Sequence, residues 1–348
     1  MRFWLTLGIA VSLSAGRPHS SVTLLGKGQL PVITADSRGT IHLVFGREDT
    51  LFYASSADLG KTFSKPLAVT RLPELVLIAT RGPQIAAGDK QLLITASDKA
   101  GNVWAWSRPR RGGEWSHAVR INDQPDIGRE GFQAVTALSD NRFFAAWLDL
   151  RGNKRNKIVG ALSVDGGRTW NPNQLIYQSP DETVCECCRV SVAASGNNIA
   201  VLFRNWLNGS RDLYLSQSRN GGQSFSSAEK LGLGTWKLNA CPMDGGGLAV
   251  TGPASFLTAW RRESSLYLCR PGQPEALLGP GRQVALAADK KHWVAAFQQG
   301  GSIRLQTDLG EATEFGPGQT PSVTISRGEA ICVWENERSI STAVLPLH

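Results

Sequence analysis

The chain has 348 residues, only 19% of them charged, with 37 glycines and 11 tryptophans. Apolar residues alternate in runs of about five to eight and never take helical spacing, which excludes a helical bundle and indicates an all-β fold of short strands and tight turns. Lysine plus arginine exceed aspartate plus glutamate, 37 against 29, but the longest basic run, at 108–111, is broken by Pro109, and charge so dispersed excludes nucleic acid as a partner.

Arg2 opens the chain with a positive charge, residues 3–13 are apolar but too short to span a bilayer, and Ser14, Ala15 and Gly16 supply a cleavage region. The pattern predicts an export signal over 1–16 and a mature chain, 17–348, that is secreted or periplasmic. A buried first strand is the alternative reading. No later segment is a candidate membrane span, and no cysteine stands at the cleavage region to accept a lipid.

A short strand at 22–25 has no partners of its own. After it one unit repeats: a short strand, a turn with Gly, Asn or Asp, and a longer strand that usually ends in an aromatic. The copies are 32–45, 84–96, 133–147, 190–203, 248–260, 284–297 and 323–334; that at 84–96 lacks the aromatic. A third strand follows each copy, and several copies add a fourth, as at 63–69, 170–177 and 225–230. Strand, hairpin, strand, strand at intervals of about 37 to 57 residues is the rhythm of propeller blades. The Gly-x-Gly junctions at Gly26 and Gly28, Gly279 and Gly281, and Gly316 and Gly318 each precede a first strand. The expectation is a β-propeller of seven blades in one domain, closed by the strand at 22–25; the count is six if the short units after Cys241 are merged.

Three turns share a pattern, each between a third and a fourth strand: 56–63, 163–170 and 218–225. Their Asp58 and Gly60, Asp165 and Gly167, and Asn220 and Gly222 suit a self-satisfied turn, with a side-chain oxygen accepting backbone N–H groups and glycine taking positive φ. Ser-x-Asp-x-Gly-x-Thr-Trp/Phe resembles the Asp-box, or bacterial neuraminidase repeat, of the sialidase superfamily. The resemblance implies a propeller from about residue 22 onward, with structural boxes and any active site at the opposite end of the axis. It also implies three arginines on a substrate carboxylate, a Tyr nucleophile paired with Glu, and an Asp acid/base. Arg47 matches a family arginine position, but Gln29-Leu30-Pro31 stands where the family has Arg-Ile-Pro. The four tyrosines are Tyr53, Tyr177, Tyr214 and Tyr267, and none follows in the late blades, where the family places its nucleophile.

The loops expected at that opposite end are richer in chemistry. Cys185-Glu186-Cys187-Cys188-Arg189 enters the fourth blade and Cys241-Pro242-Met243-Asp244 the fifth. In an exported protein the first reading is a disulfide from Cys241 to one of the three clustered cysteines. A thiolate site for Zn or Cu(I) is the second and redox or nucleophilic use the third. Cys269 and Cys332 fall on strands and read as buried and inert. Arg47, Arg151, Arg189, Arg204, Arg211 and Arg261 are candidate anion ligands, against the alternative of solvated loop charge. Asp149, Asp212, Asp244 and Glu263 are candidate acid/base groups, and Trp206 and Trp236 can stack on sugars or pack inside. The leading expectation is therefore an exported, monomeric sialidase-like propeller that binds, with or without hydrolysing, an anionic glycan or other acidic small ligand. A non-catalytic glycan- or protein-binding propeller and a cysteine-centred metal or redox protein are the alternatives. No cofactor is expected in the first two cases.

Overall fold

The computed structural model describes residues 22–78 and 80–348; the expected export signal lies outside them. Among the described residues there is no helix, and the strands form seven four-stranded antiparallel sheets. The first strand, β1 (Thr23–Lys27), stands apart from the sheet that follows it. Blade 1 is β2 (Gln29–Ala35), β3 (Ile41–Arg47), β4 (Thr50–Ser56) and β5 (Leu67–Arg71). Blade 2 is β6 (Gln84–Ala87), β7 (Gln91–Ser97), β8 (Val103–Pro109) and β9 (Val119–Arg120). Blade 3 is β10 (Ala134–Ala137), β11 (Phe143–Asp149), β12 (Lys157–Ser163) and β13 (Gln174–Tyr177). Blade 4 is β14 (Ser191–Ser195), β15 (Asn198–Arg204), β16 (Leu213–Ser218) and β17 (Glu229–Lys230). Blade 5 is β18 (Gly246–Gly252), β19 (Ser255–Arg262), β20 (Ser265–Cys269) and β21 (Ala276–Pro280). Blade 6 is β22 (Arg282–Ala288), β23 (Trp293–Gln299), β24 (Ser302–Thr307) and β25 (Gly310–Pro317). Blade 7 is β26 (Gln319–Ser326), β27 (Glu329–Asn336) and β28 (Ser339–Pro346), completed by β1. The expected seven-bladed propeller with its N-terminal closing strand is the observed fold.

The closing pair runs Thr23↔Thr342, Leu24↔Ser341, then Gly26↔Ile340 and Lys27↔Ser339 across a bulge. The same bulge occurs in β21 and β25, at Gly279 and Gly316. That recurrence explains the Gly-x-Gly junctions. The first glycine takes the positive φ of the bulge, +122° at Gly26 and +116° at Gly316. The second lets the chain pass over an aromatic of its neighbour: a Cβ on Gly318 would lie 2.1 Å from Trp334, and one on Gly28 2.5 Å from Phe45.

Each of the seven blade junctions carries its own buried apolar cluster. Val44, Ile94 and Trp106 lie between blades 1 and 2, Phe143 and Trp147 between 2 and 3, and Phe144, Ile199 and Phe203 between 3 and 4. Trp260 serves 4 and 5, Phe297 serves 5 and 6, Trp334 serves 6 and 7, and Phe45 and Ile331 join 7 back to 1. A large side chain buried in this way contributes about 1.5–3 kcal/mol, so the ring is held by repetition. The inner strands leave a central channel of about 520 Å³ whose walls include Ala87, Ala134, Ala193, Ala249, Ala287 and Thr324.

The outer strands start later than the sequence suggests, at Leu67, Gln174 and Glu229. The aromatics that seemed to open them, Phe63, Trp170 and Phe225, belong to the preceding turns and pack into the junctions. One backbone bond pins each turn, as from Ser64 N to Ser55 O at 2.8 Å.

Candidate functional site

Because strand direction alternates, the loops between second and third strands share one end of the ring with the crossings that enter each next blade. The Ser-x-Asp/Asn turns lie at the other end. In those turns Asp58 accepts from Thr62 N (2.9 Å), Thr62 Oγ1 (2.6 Å) and Ser56 Oγ (2.7 Å), and Ser56 Oγ accepts from Gly60 N (2.8 Å). Asp165 and Asn220 repeat the pattern, with Gly167 N and Gly222 N donating to Ser163 and Ser218.

At the loop-rich end the crossing into blade 4 is the most organised segment. Val184 N donates to Asn156 O and Cys185 N to Arg204 O, both at 3.0 Å, tying the crossing to hairpins of blades 3 and 4. Held there, Cys185, Cys187 and Cys188 bring their three sulfurs within 4.8 Å of one another and are each at most 4% exposed. Cys185 Sγ is 2.8 Å from Cys188 Sγ and 3.7 Å from Cys187 Sγ. Arg211 Nη1 donates to Cys185 Sγ at 3.1 Å and also meets Glu186 at 3.4 Å. Burial works against ionising Cys185, but hydrogen bonds from the two neighbouring thiols and the charges of Arg204 and Arg211 bring its pKa well below the usual thiol value. Cys188 moves the opposite way, through burial and the negative sulfur beside it. Cys241 is exposed on the crossing into blade 5, and burial together with the influence of Cys187 pushes its pKa up to about 11.

The expected disulfide is not formed: all six cysteines are free thiols. The chain from Cys185 to Cys188 curls its sulfurs inward on themselves, leaving Cys241 at the rim. Cys269 and Cys332 are buried on their strands.

Most of the candidate charges are engaged in holding the loops. Asp149, fully buried, accepts from Trp147 Nε1 (2.9 Å), Arg151 N (2.8 Å) and Arg151 Nε (2.8 Å), and Arg151 also bridges to Asp123 at 3.1 Å. Asp244, 2% exposed, accepts from Gly245 N and from Arg261 Nε at 2.8 Å. Asp212 accepts from Trp236 N at 2.8 Å. Glu263 sits exposed in a hairpin turn at φ +56°. Arg204, 1% exposed, donates to Arg211 O (2.6 Å) and Arg261 O (2.9 Å). Trp236 lies inside, with Arg204 and Arg261 each 5.2 Å from its ring, while Trp206 is half-buried under Arg211 at 4.6 Å. Arg47 is exposed and stacks on Phe52 at 4.2 Å.

Arg189 differs from these. It lines both the channel and a smaller cavity of about 90 Å³ at the channel mouth, together with Thr80, Gln84, Gln283 and Thr320. Its Nη2 donates to Val284 O at 2.6 Å, and no other hydrogen bond from its side chain occurs among the described residues. A Cβ at Gly245 would lie 2.2 Å from Arg189 Cγ, so that glycine makes room for the side chain. Burial lowers the guanidinium pKa and Asp244 partly restores it.

One residue escaped the sequence reading. Glu130, on the crossing into blade 3, lies 3.5 Å from Arg81 and 3.4 Å from Asn156. Burial raises its pKa, with Glu186 and Cys187 adding to the rise against the pull of Asn156 and Arg81. The only signal was positional: it stands just before a first strand, as Arg189 does.

No protein-family model and no curated protein matches the sequence. Solved structures do match in fold. A protein of unknown function from Dyadobacter fermentans is 13% identical, with a TM-score of 0.53 over 94% of this chain and 99% of that one. An ulvan lyase, solved with a -[GlcA(1-4)Rha3S]- ligand, is 13% identical with a TM-score of 0.56 over 93% and 94%. A Hadza microbial sialidase is 13% identical with a TM-score of 0.55 over 92% of this chain and 66% of that one. The chain therefore shares the β-propeller fold with these proteins, a scaffold that hosts many activities.

Proposed function

We propose that this propeller recognises an anionic glycan at the mouth of its channel, with Arg189 meeting a carboxylate or sulfate. The observation that carries this reading is the guanidinium itself: it lines a cavity, is desolvated by burial, and has a single protein acceptor among the described residues. An anion there would offset the cost of burying the charge and use the remaining donors of the planar fork. Thr320 Oγ1, buried on the same cavity without a partner, offers a further polar contact. Recognition of sugars by fold relatives such as the ulvan lyase and the sialidase is consistent with this reading. Calorimetry with sulfated uronate oligosaccharides and with sialyllactose tests it. Arg189→Ala is expected to weaken binding at least about tenfold, the worth of a charge-assisted hydrogen bond. Equal affinity for the variant and the parent would remove Arg189 from the site. We also propose export, which N-terminal sequencing of protein recovered outside the cytoplasm would check.

Hydrolysis is the second reading, and Glu130 favours it. A carboxyl with a raised pKa beside an arginine is the type of group that delivers a proton to a leaving oxygen. Asp149, Asp244 and Asp212, already saturated or tied to backbone, are less free to do so. Under this reading fluorogenic sialosides or uronides are turned over and Glu130→Gln abolishes turnover with binding retained; no turnover on a broad panel leaves recognition alone.

A further inference from the structure

We propose that Cys185, Cys187 and Cys188 hold one thiophilic metal ion, Cu(I), in a trigonal three-sulfur site. The cluster is compact enough for one ion. With metal–sulfur bonds of about 2.3 Å, three sulfurs around one ion lie about 4 Å apart; these three lie within 4.8 Å of one another, Cys185 and Cys187 stand at 3.7 Å, and Cys185 and Cys188, at 2.8 Å, open by about 1 Å to admit the ion. The donors are sulfur only, the soft set that selects Cu(I) over harder ions.

Buried positive charge supports the cluster. Three thiolates and Cu(I) leave two negative charges, and two buried guanidinium groups, one of them shared with Glu186, stand beside them. Arg211 touches Cys185 Sγ, Arg204 acts on Cys185 and Cys188, and the Nε of each arginine is buried with no partner. Such outer contacts orient and tune metal ligands. Cys332 provides an internal contrast: it is wholly buried among Val294, Ala296 and Trp334 with no charge beside it, the setting of an inert thiol, and burial drives its pKa far up. The cluster thiols have a different setting, on a crossing pinned at both Val184 and Cys185. On binding, three Cu–S bonds form and the thiol protons still present pass to solvent, with no change in oxidation state.

The test uses the full chain, reduced and without oxygen, titrated with Cu(I) against bicinchoninate. One ion per chain should be retained, with sulfur-to-copper charge-transfer absorption and three sulfur neighbours by X-ray absorption. Cys188→Ser should weaken retention by at least about 100-fold, the upper end of what losing even a supporting contact costs. Cys241→Ser should still bind one ion, which separates a three-sulfur from a four-sulfur site. Native mass spectrometry of the unmutated protein reads the same stoichiometry without relying on a variant that must fold. No retained copper, retention indifferent to Cys188→Ser, or loss of the ion in Cys241→Ser would overturn the assignment. The glycan reading is measured separately and stands or falls without it.

Discussion

Asp58 shows how a single carboxylate can carry a turn. Its contacts to Thr62 and Ser56 hold its pKa down to about 2. Because the native pKa is depressed, its contribution is full above the ordinary carboxylate range and is lost as pH falls through about 2. Asn220 makes the corresponding turn with a neutral amide. Asp58→Asn is therefore expected to leave the unfolding midpoint at pH 7 nearly unchanged and to flatten its fall between pH 4 and 2, read by thermal denaturation. At the same end of the ring His42 is 3% exposed, with Nδ1 2.8 Å from Tyr53 Oη and Nε2 3.5 Å from Asp36. Burial lowers its pKa, Asp36 opposes the shift, and Arg110 and Arg108 add to it. A histidine buried neutral makes the unfolded chain the better proton acceptor, so stability should decline as pH falls below about 6.5. His42→Gln should remove that slope; an unchanged slope would place its origin elsewhere.

At the scale of strands, β1 is the element on which closure depends. Without residues 22–27 the edge of β28 is unpaired and Leu25 leaves its junction with Phe45 and Ile340. The expected result is a lower urea midpoint and concentration-dependent light scattering, as for any exposed edge. Gly318→Ala probes the passing of chain over Trp334, which is 1% exposed and cannot move aside; it should cost about 1–3 kcal/mol by urea denaturation. Both features were legible in the sequence, because strand alternation and Gly-x-Gly spacing are local requirements of the blade. The strand starts were misplaced where Phe63, Trp170 and Phe225 look like strand residues but act as plugs from a turn. The chemistry of the loops was legible only as residue types. Which partner Arg151, Arg204 or Arg261 meets depends on how separate crossings come together. Whether Cys241 bonds to its neighbours depends on the direction of its side chain, and neither is written in spacing. Glu130 escaped notice for the same reason.

Across the molecule, cohesion between blades comes from apolar clusters at every junction, supplemented in places by polar ties. Arg204 is one such tie, since it leaves blade 4 to donate to Arg261 O of blade 5. Arg204→Met keeps the bulk of the side chain and orphans the carbonyls of Arg211 and Arg261, so a loss of about 1–3 kcal/mol is expected in urea. The closing pair has a different consequence. Since β1 and β28 lie side by side in one blade with no covalent link between them, the ring has a seam whose position is a matter of chain connectivity. A permuted gene that joins these two strands through a short linker and breaks the chain in the turn at 139–142 would encode the same seven blades with the seam moved to blade 3.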